Sequence, residues 1–140
     1  MKEIIRKNII NLPYSLHDAH INNIIMQEDT LIFSFDNGYY VPEDGDCMPI
    51  QGSIKFEGVD LDYCWIYTLN TDGHCGTFKG EKCQLIDFIQ HYPIIDMEII
   101  DETYGYNQSK FSGWLYQGKK IQEFIVEVYH LGNMKYIVEE

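Results

Sequence analysis

Positive charge is scarce in this chain. Ten Lys and Arg stand against 22 Asp and Glu among 140 residues, a formal charge of −12. Such a balance repels phosphate, which argues against nucleic-acid binding and against binding to anionic membranes. Long apolar runs are also missing: none approaches the roughly 18 residues of a helical membrane span. The opening MKEIIRKNIINLPY has neither the uncharged core nor the small-residue cleavage site of a signal peptide, so a cytoplasmic chain is expected. No CxxC occurs, because Cys47, Cys64, Cys75 and Cys83 lie 17, 11 and 8 residues apart. Reduced, mostly buried thiols are the expectation in a cytosolic setting. GxSxG, P-loop, dinucleotide-type glycine and HExxH patterns are all absent. No catalytic residue, metal ligand or cofactor is therefore assigned, and the enzyme question stays open.

What is present suffices for one folded domain over 1–140, since 45% of the residues are hydrophobic and 23% charged. The stretch LHDAHINNIIMQEDTLIFSF, Leu16 to Phe35, organises it. Two apolar runs flank a polar turn at Gln27, Glu28 and Asp29, which reads as a β-hairpin with Leu31, Phe33 and Phe35 on one face. Ahead of it, Met1 to Tyr14 fits neither a strand nor a helix period cleanly. Asn37 and Gly38 form an NG turn, which predicts that Tyr39, Tyr40 and Val41 pair back onto Ser34 to Asp36. PEDGDCMP, with its prolines and carboxylates, is expected as an exposed loop.

Ile50, Gly52, Ile54 and Phe56 then share one strand face, and CWIYTL, Cys64 to Leu69, is apolar on both faces like an interior strand. The spacing of Leu85, Ile86, Phe88 and Ile89 predicts a short helix over about 81–90, stopped by Pro93. Alternation returns at Ile95 to Ile99, Phe111 to Tyr116, Phe124 to Val128 and Met134 to Val138. The sum is an α+β fold: a mainly antiparallel β domain of about seven or eight strands with one short helix packed on it.

Three polar groups are candidate sites. His17, Asp18 and His20 place a carboxylate between imidazoles, as a metal ligand or general base needs. In an extended chain Asp18 and His20 share a face and His17 points away. The plain alternative is an Asp18 that accepts backbone hydrogen bonds where the hairpin begins. His74 and Cys75 in GHCG are a nucleophile pair or a loop thiol with a chance neighbour, and the DGD of PEDGDCMP is a calcium-loop fragment or a solvated turn. Aromatics make 14% of the chain. Tyr39 and Tyr40, beside a predicted turn, join Asp18 and His20 as candidate ligand or partner contacts, although half-buried strand tyrosines would look the same.

LHDAHI, a hairpin ending in LIFSF, and IKFEGV together resemble a group of small bacterial proteins of unknown function that open with a hydrophobic-His-Asp-Ala motif, some of them similar to immunity proteins of toxin loci. The resemblance covers roughly the first 60 residues and implies a binding role with no catalytic residue. Between Glu28 and Asp72 there are ten carboxylates and one base, Lys55. The expected function is thus a cytoplasmic interaction domain, of immunity type, that meets a basic protein partner. The alternative is a small-ligand or metal-binding enzyme using the His17, Asp18 and His20 segment. Homodimerisation through Tyr129, His130 and the Met134 to Val138 strand is a third outcome.

Overall fold

The computed structural model describes residues 1–43, 46–70 and 79–139, with only the backbone of Glu43, Asp46 and Cys47. GHCG and the centre of PEDGDCMP lie outside the described residues. Twelve strands, one α-helix and one 3₁₀ turn occur among the described residues, more strands than the seven or eight expected. The fold is mainly antiparallel β with a single short helix.

The organising hairpin is formed by β2 (His20–Gln27) and β3 (Thr30–Phe35), in which Gln27 faces Thr30 across Glu28 and Asp29. Leu31, Phe33 and Phe35 are buried while the residues between them stay partly exposed, as their alternation predicts. β6 (Gly52–Phe56) and β12 (Met134–Val138) extend the sheet beyond β3, and β1 (Lys2–Ile5) closes that side. On the other side β2 meets β9 (Met97–Gly105), followed by β10 (Gln108–Gln117), β11 (Lys120–Tyr129), β7 (Trp65–Leu69) and β8 (Gly80–Gln84). All of these pairings are antiparallel.

Aromatic contacts show that this sheet folds over on itself. Strands stand about 4.8 Å apart, so along a flat sheet β3 and β10 would be separated by about 14 Å. Yet the Phe33 and Phe111 rings are 6.0 Å apart, and Phe56, one strand further out, lies 6.1 Å from Phe111. The fold line falls where β2 and β9 share only two register pairs, His20 with Glu98 and Ile21 with Met97. The core between the two halves takes inward residues from both, including Ile54, Phe56, Ile66, Ile99, Phe111, Phe124 and Tyr136.

Four expectations need correction. Gly38 adopts φ +66° but Asn37 does not, and an added Cβ at Gly38 would meet Ile50 O at 1.8 Å. Both flanks of β3 are already filled, by β2 and β6, so the chain leaves it. β4 (Tyr39–Glu43) pairs instead with β5 (Asp46–Ile50), which turns the expected PEDGDCMP loop into a separate two-stranded sheet. The helix α1 is Leu85–His91, and residues 81–84 belong to β8, where ladder bonds to β7 outweigh a marginal helical turn. β12 is held by β1 and β6 on its two sides, so Met134 to Val138 offers no free edge for pairing with a second copy.

Candidate functional site

Alternation decides what the far half of the sheet shows to solvent. Ile99, Phe111, Leu115, Phe124, Val126 and Ile66 point into the core. Their neighbours therefore point outward, and register sets them in rows across the strands. One row is His20, Glu98, Trp114, Glu123 and Leu69, each opposite the next. A second is Asp101, Ser112, Ile125, Tyr67 and Lys82. Trp114 thus has a carboxylate residue on each side, one strand away.

Between these rows the ladder is irregular, because the β9–β10 register shifts between Ser112 and Gly113. Gly113 is required there: a Cβ would stand 1.8 Å from Glu98 O. Beside it on the outer face lies a groove of about 280 Å³ walled by Trp114, Asp101, Glu123, Leu69, Ile100 and Ile125. It is open, acidic at two corners and aromatic at one.

At its β2 end the same face carries a hydrogen-bonded group. His20 Nδ1 donates to Asp96 Oδ1 at 2.8 Å, and its Nε2 lies 4.0 Å from Glu98 Oε2. The Tyr116 hydroxyl donates to Glu98 Oε1 at 2.6 Å, and its ring stacks near the imidazole, 6.0 Å between centroids. That hydrogen bond, with some burial and the charges of Glu98 and Asp96, pushes the Tyr116 phenol up to about 12. It stays a protonated donor.

Of the sequence candidates, only His20 joins this group. Asp18, at φ +68°, turns its carboxylate to His17 Nδ1 at 3.1 Å, while its backbone N–H donates to Ile99 O. Asp18 and His20, expected to share a face, are therefore not brought together, because the left-handed Asp18 breaks the alternation. Tyr39 lies in the core, its hydroxyl shared between the Ser53 and Ile137 carbonyls at 3.1 and 3.2 Å. Burial pushes that phenol far above its ordinary range. Tyr40 is half-buried, bridged to Ser15. Asp96, Glu98, Trp114 and Glu123 carry no signal of their own in the sequence; only strand register brings them beside His20 and Tyr116.

A second histidine is structural. His130 Nδ1 donates to Gly132 O at 2.9 Å, so its Nε2 accepts from the Ser109 hydroxyl at 2.8 Å. Both residues are buried, with the Phe56 ring 5.1 Å from the imidazole, and burial holds the imidazole below its usual range. A Ser–His pair so enclosed fixes strand ends together. Among the described residues no three His, Cys, Asp or Glu converge to hold a metal ion. Cys64, buried, and Cys83, half-buried, are free thiols.

On the outer face, Lys82 Nζ lies 4.3 Å from the Trp65 ring centroid and 5.4 Å from that of Tyr67. The aromatic face thus already accommodates an ammonium group. Compared with known proteins, the chain matches no family, no curated protein and no solved structure.

Proposed function

We propose that the chain is an interaction domain of immunity type that receives a basic protein partner on the outer face of β9, β10, β11 and β7. The observation that carries this reading is Trp114, standing in register between Glu98 and Glu123 with no cation on its ring among the described residues. Lys82 over Trp65 is the internal precedent for what such a ring takes. A Lys or Arg side chain laid on Trp114 would meet the indole face and two carboxylates together. The net charge of −12 would steer a basic partner to the surface and make association fall with salt. The setting proposed is cytoplasmic, with the thiols reduced.

The other reading, a small-ligand or metal-using enzyme on His17, Asp18 and His20, has less support because His17 and Asp18 pair with each other while His20 turns away to Asp96.

Titration of a poly-arginine peptide, followed by calorimetry at about 0.02 M and about 0.2 M salt, tests the proposal. Any acidic protein gives some salt-sensitive binding, so Trp114→Ala, which leaves the charge unchanged, is the deciding variant. It should weaken the complex roughly two- to thirtyfold, the range for a cation on an indole. Equal affinity of wild type and W114A would sink the assignment.

A further inference from the structure

A different group of polar side chains lies where residues 6–16 cross β9. Glu102 and Tyr104 stand opposite Phe111 and Ser109, and so point inward with those buried residues. The Glu102 carboxylate is fully engaged: Oε1 accepts from the Tyr104 hydroxyl at 2.6 Å and Oε2 from Leu16 N–H at 2.9 Å. Arg6 lays its guanidinium on the Tyr104 ring, 4.0 Å from the centroid. Nη1 of Arg6 donates to Asn8 Oδ1 at 3.2 Å and, more weakly, to Lys7 O at 3.4 Å.

The rest of that guanidinium is unmatched. Arg6 Nε is buried with no acceptor, and among the described residues no carboxylate oxygen comes within 4.0 Å of Arg6. Tyr136, fully buried in the core, faces Tyr104 from the other side. Burial raises the Tyr104 and Tyr136 phenols strongly; Glu102 adds to both shifts and Arg6 opposes both, so the four groups share one poorly solvated volume. Buried donors left unmatched are rare and call for an explanation.

Beside them opens a hollow of about 530 Å³ lined by Arg6, Asn8, Ile9, Leu12, Tyr104 and Tyr106. That volume lies within the roughly 300–1,000 Å³ of small-molecule sites. Its walls mix apolar and polar groups, and Ile9 and Tyr106 remain exposed with nothing packed over them. A guanidinium with no acid of its own matches a planar carboxylate, and each oxygen of Glu102 already has a donor.

We propose that this hollow binds a small apolar carboxylic acid, its carboxylate on the Arg6 guanidinium and its chain along Ile9, Leu12 and Tyr106. The site is separate from the outer acidic face. Salt distinguishes them, because the net charge of −12 opposes an anion and screening relieves that repulsion.

Calorimetric titration with decanoate, and with 1-decanol as the same chain lacking the carboxylate, is the test. Decanoate should bind the wild-type chain more tightly than decanol does, and its affinity should fall more than tenfold in Arg6→Gln. Tyr106→Ser alters a side chain that is 94% exposed and so should leave the fold intact. It should weaken decanoate severalfold, and it decides the matter if R6Q does not fold. No binding of decanoate, equal binding of decanol, or unchanged affinity in both variants overturns the proposal.

Discussion

Replacing Phe111 by leucine, beside the same change at Phe124, weighs the closure of the sheet directly. Both phenylalanines are fully buried, so loss of apolar area on trimming to leucine is similar at the two sites and cancels in the comparison. Their neighbours differ. Phe111 makes ring contacts with Phe33 at 6.0 Å, Phe56 at 6.1 Å and Tyr104 at 5.9 Å, two of them across the fold of the sheet. Phe124 makes no such contact among the described residues. An aromatic pair contributes about 0.5–1.5 kcal/mol beyond burial, so three lost pairs come to about 1.5 kcal/mol or more. F124L, which trims a fully buried ring, should cost about 1–2 kcal/mol, and F111L about 1.5 kcal/mol beyond that. Urea unfolding reads the difference: with a slope of about 2 kcal/mol per molar, the F111L midpoint should lie about 0.75 M below that of F124L. Equal midpoints, or a lower one for F124L, would refute a sheet closed around Phe111.

Two further outcomes follow from the same geometry. Burial lowers the His130 pKa, so as pH falls through the unfolded value of about 6.5 the unfolded chain takes up a proton before the folded chain does. Stability should be fully present above that pH and fall as pH drops below it, by up to about 1.4 kcal/mol per pH unit. Urea midpoints of wild type and His130→Gln should accordingly converge between about pH 7.5 and 5.5, and parallel curves would remove His130 from the account. Gly113→Ala puts a Cβ 1.8 Å from Glu98 O, where backbone rather than a side chain must yield. It should cost about 3 kcal/mol, the upper end for overpacking, and a thermal melt unchanged within a few degrees would show that the β9–β10 register is not as described.

Much of the fold was legible where one face of a strand is buried. The period of two at Leu31, Phe33 and Phe35, and again at Phe124, Val126 and Val128, marks inward residues because a one-residue slip would expose them all. It fails where burial is partial: β8 reads as part of a helix because Glu81 to Gln84 gain their place only from pairing with β7. The NG signal fails because β3 had no free flank for the returning strand. The site was less legible still. Glu98, Trp114 and Glu123 are far apart in sequence and meet only through the register of three strands, while Asp18 and His20, adjacent but one, are parted by a single left-handed residue.

The pairing of Lys2–Ile5 with Lys135–Val138 has a consequence for how the chain comes off the ribosome. Translation at about 5–20 residues per second separates those two segments by roughly 7 to 27 seconds. Through that interval Ile4 has no ladder partner and cannot reach the core against which it later packs. The first of the described strands is thus obliged to wait for the last of them.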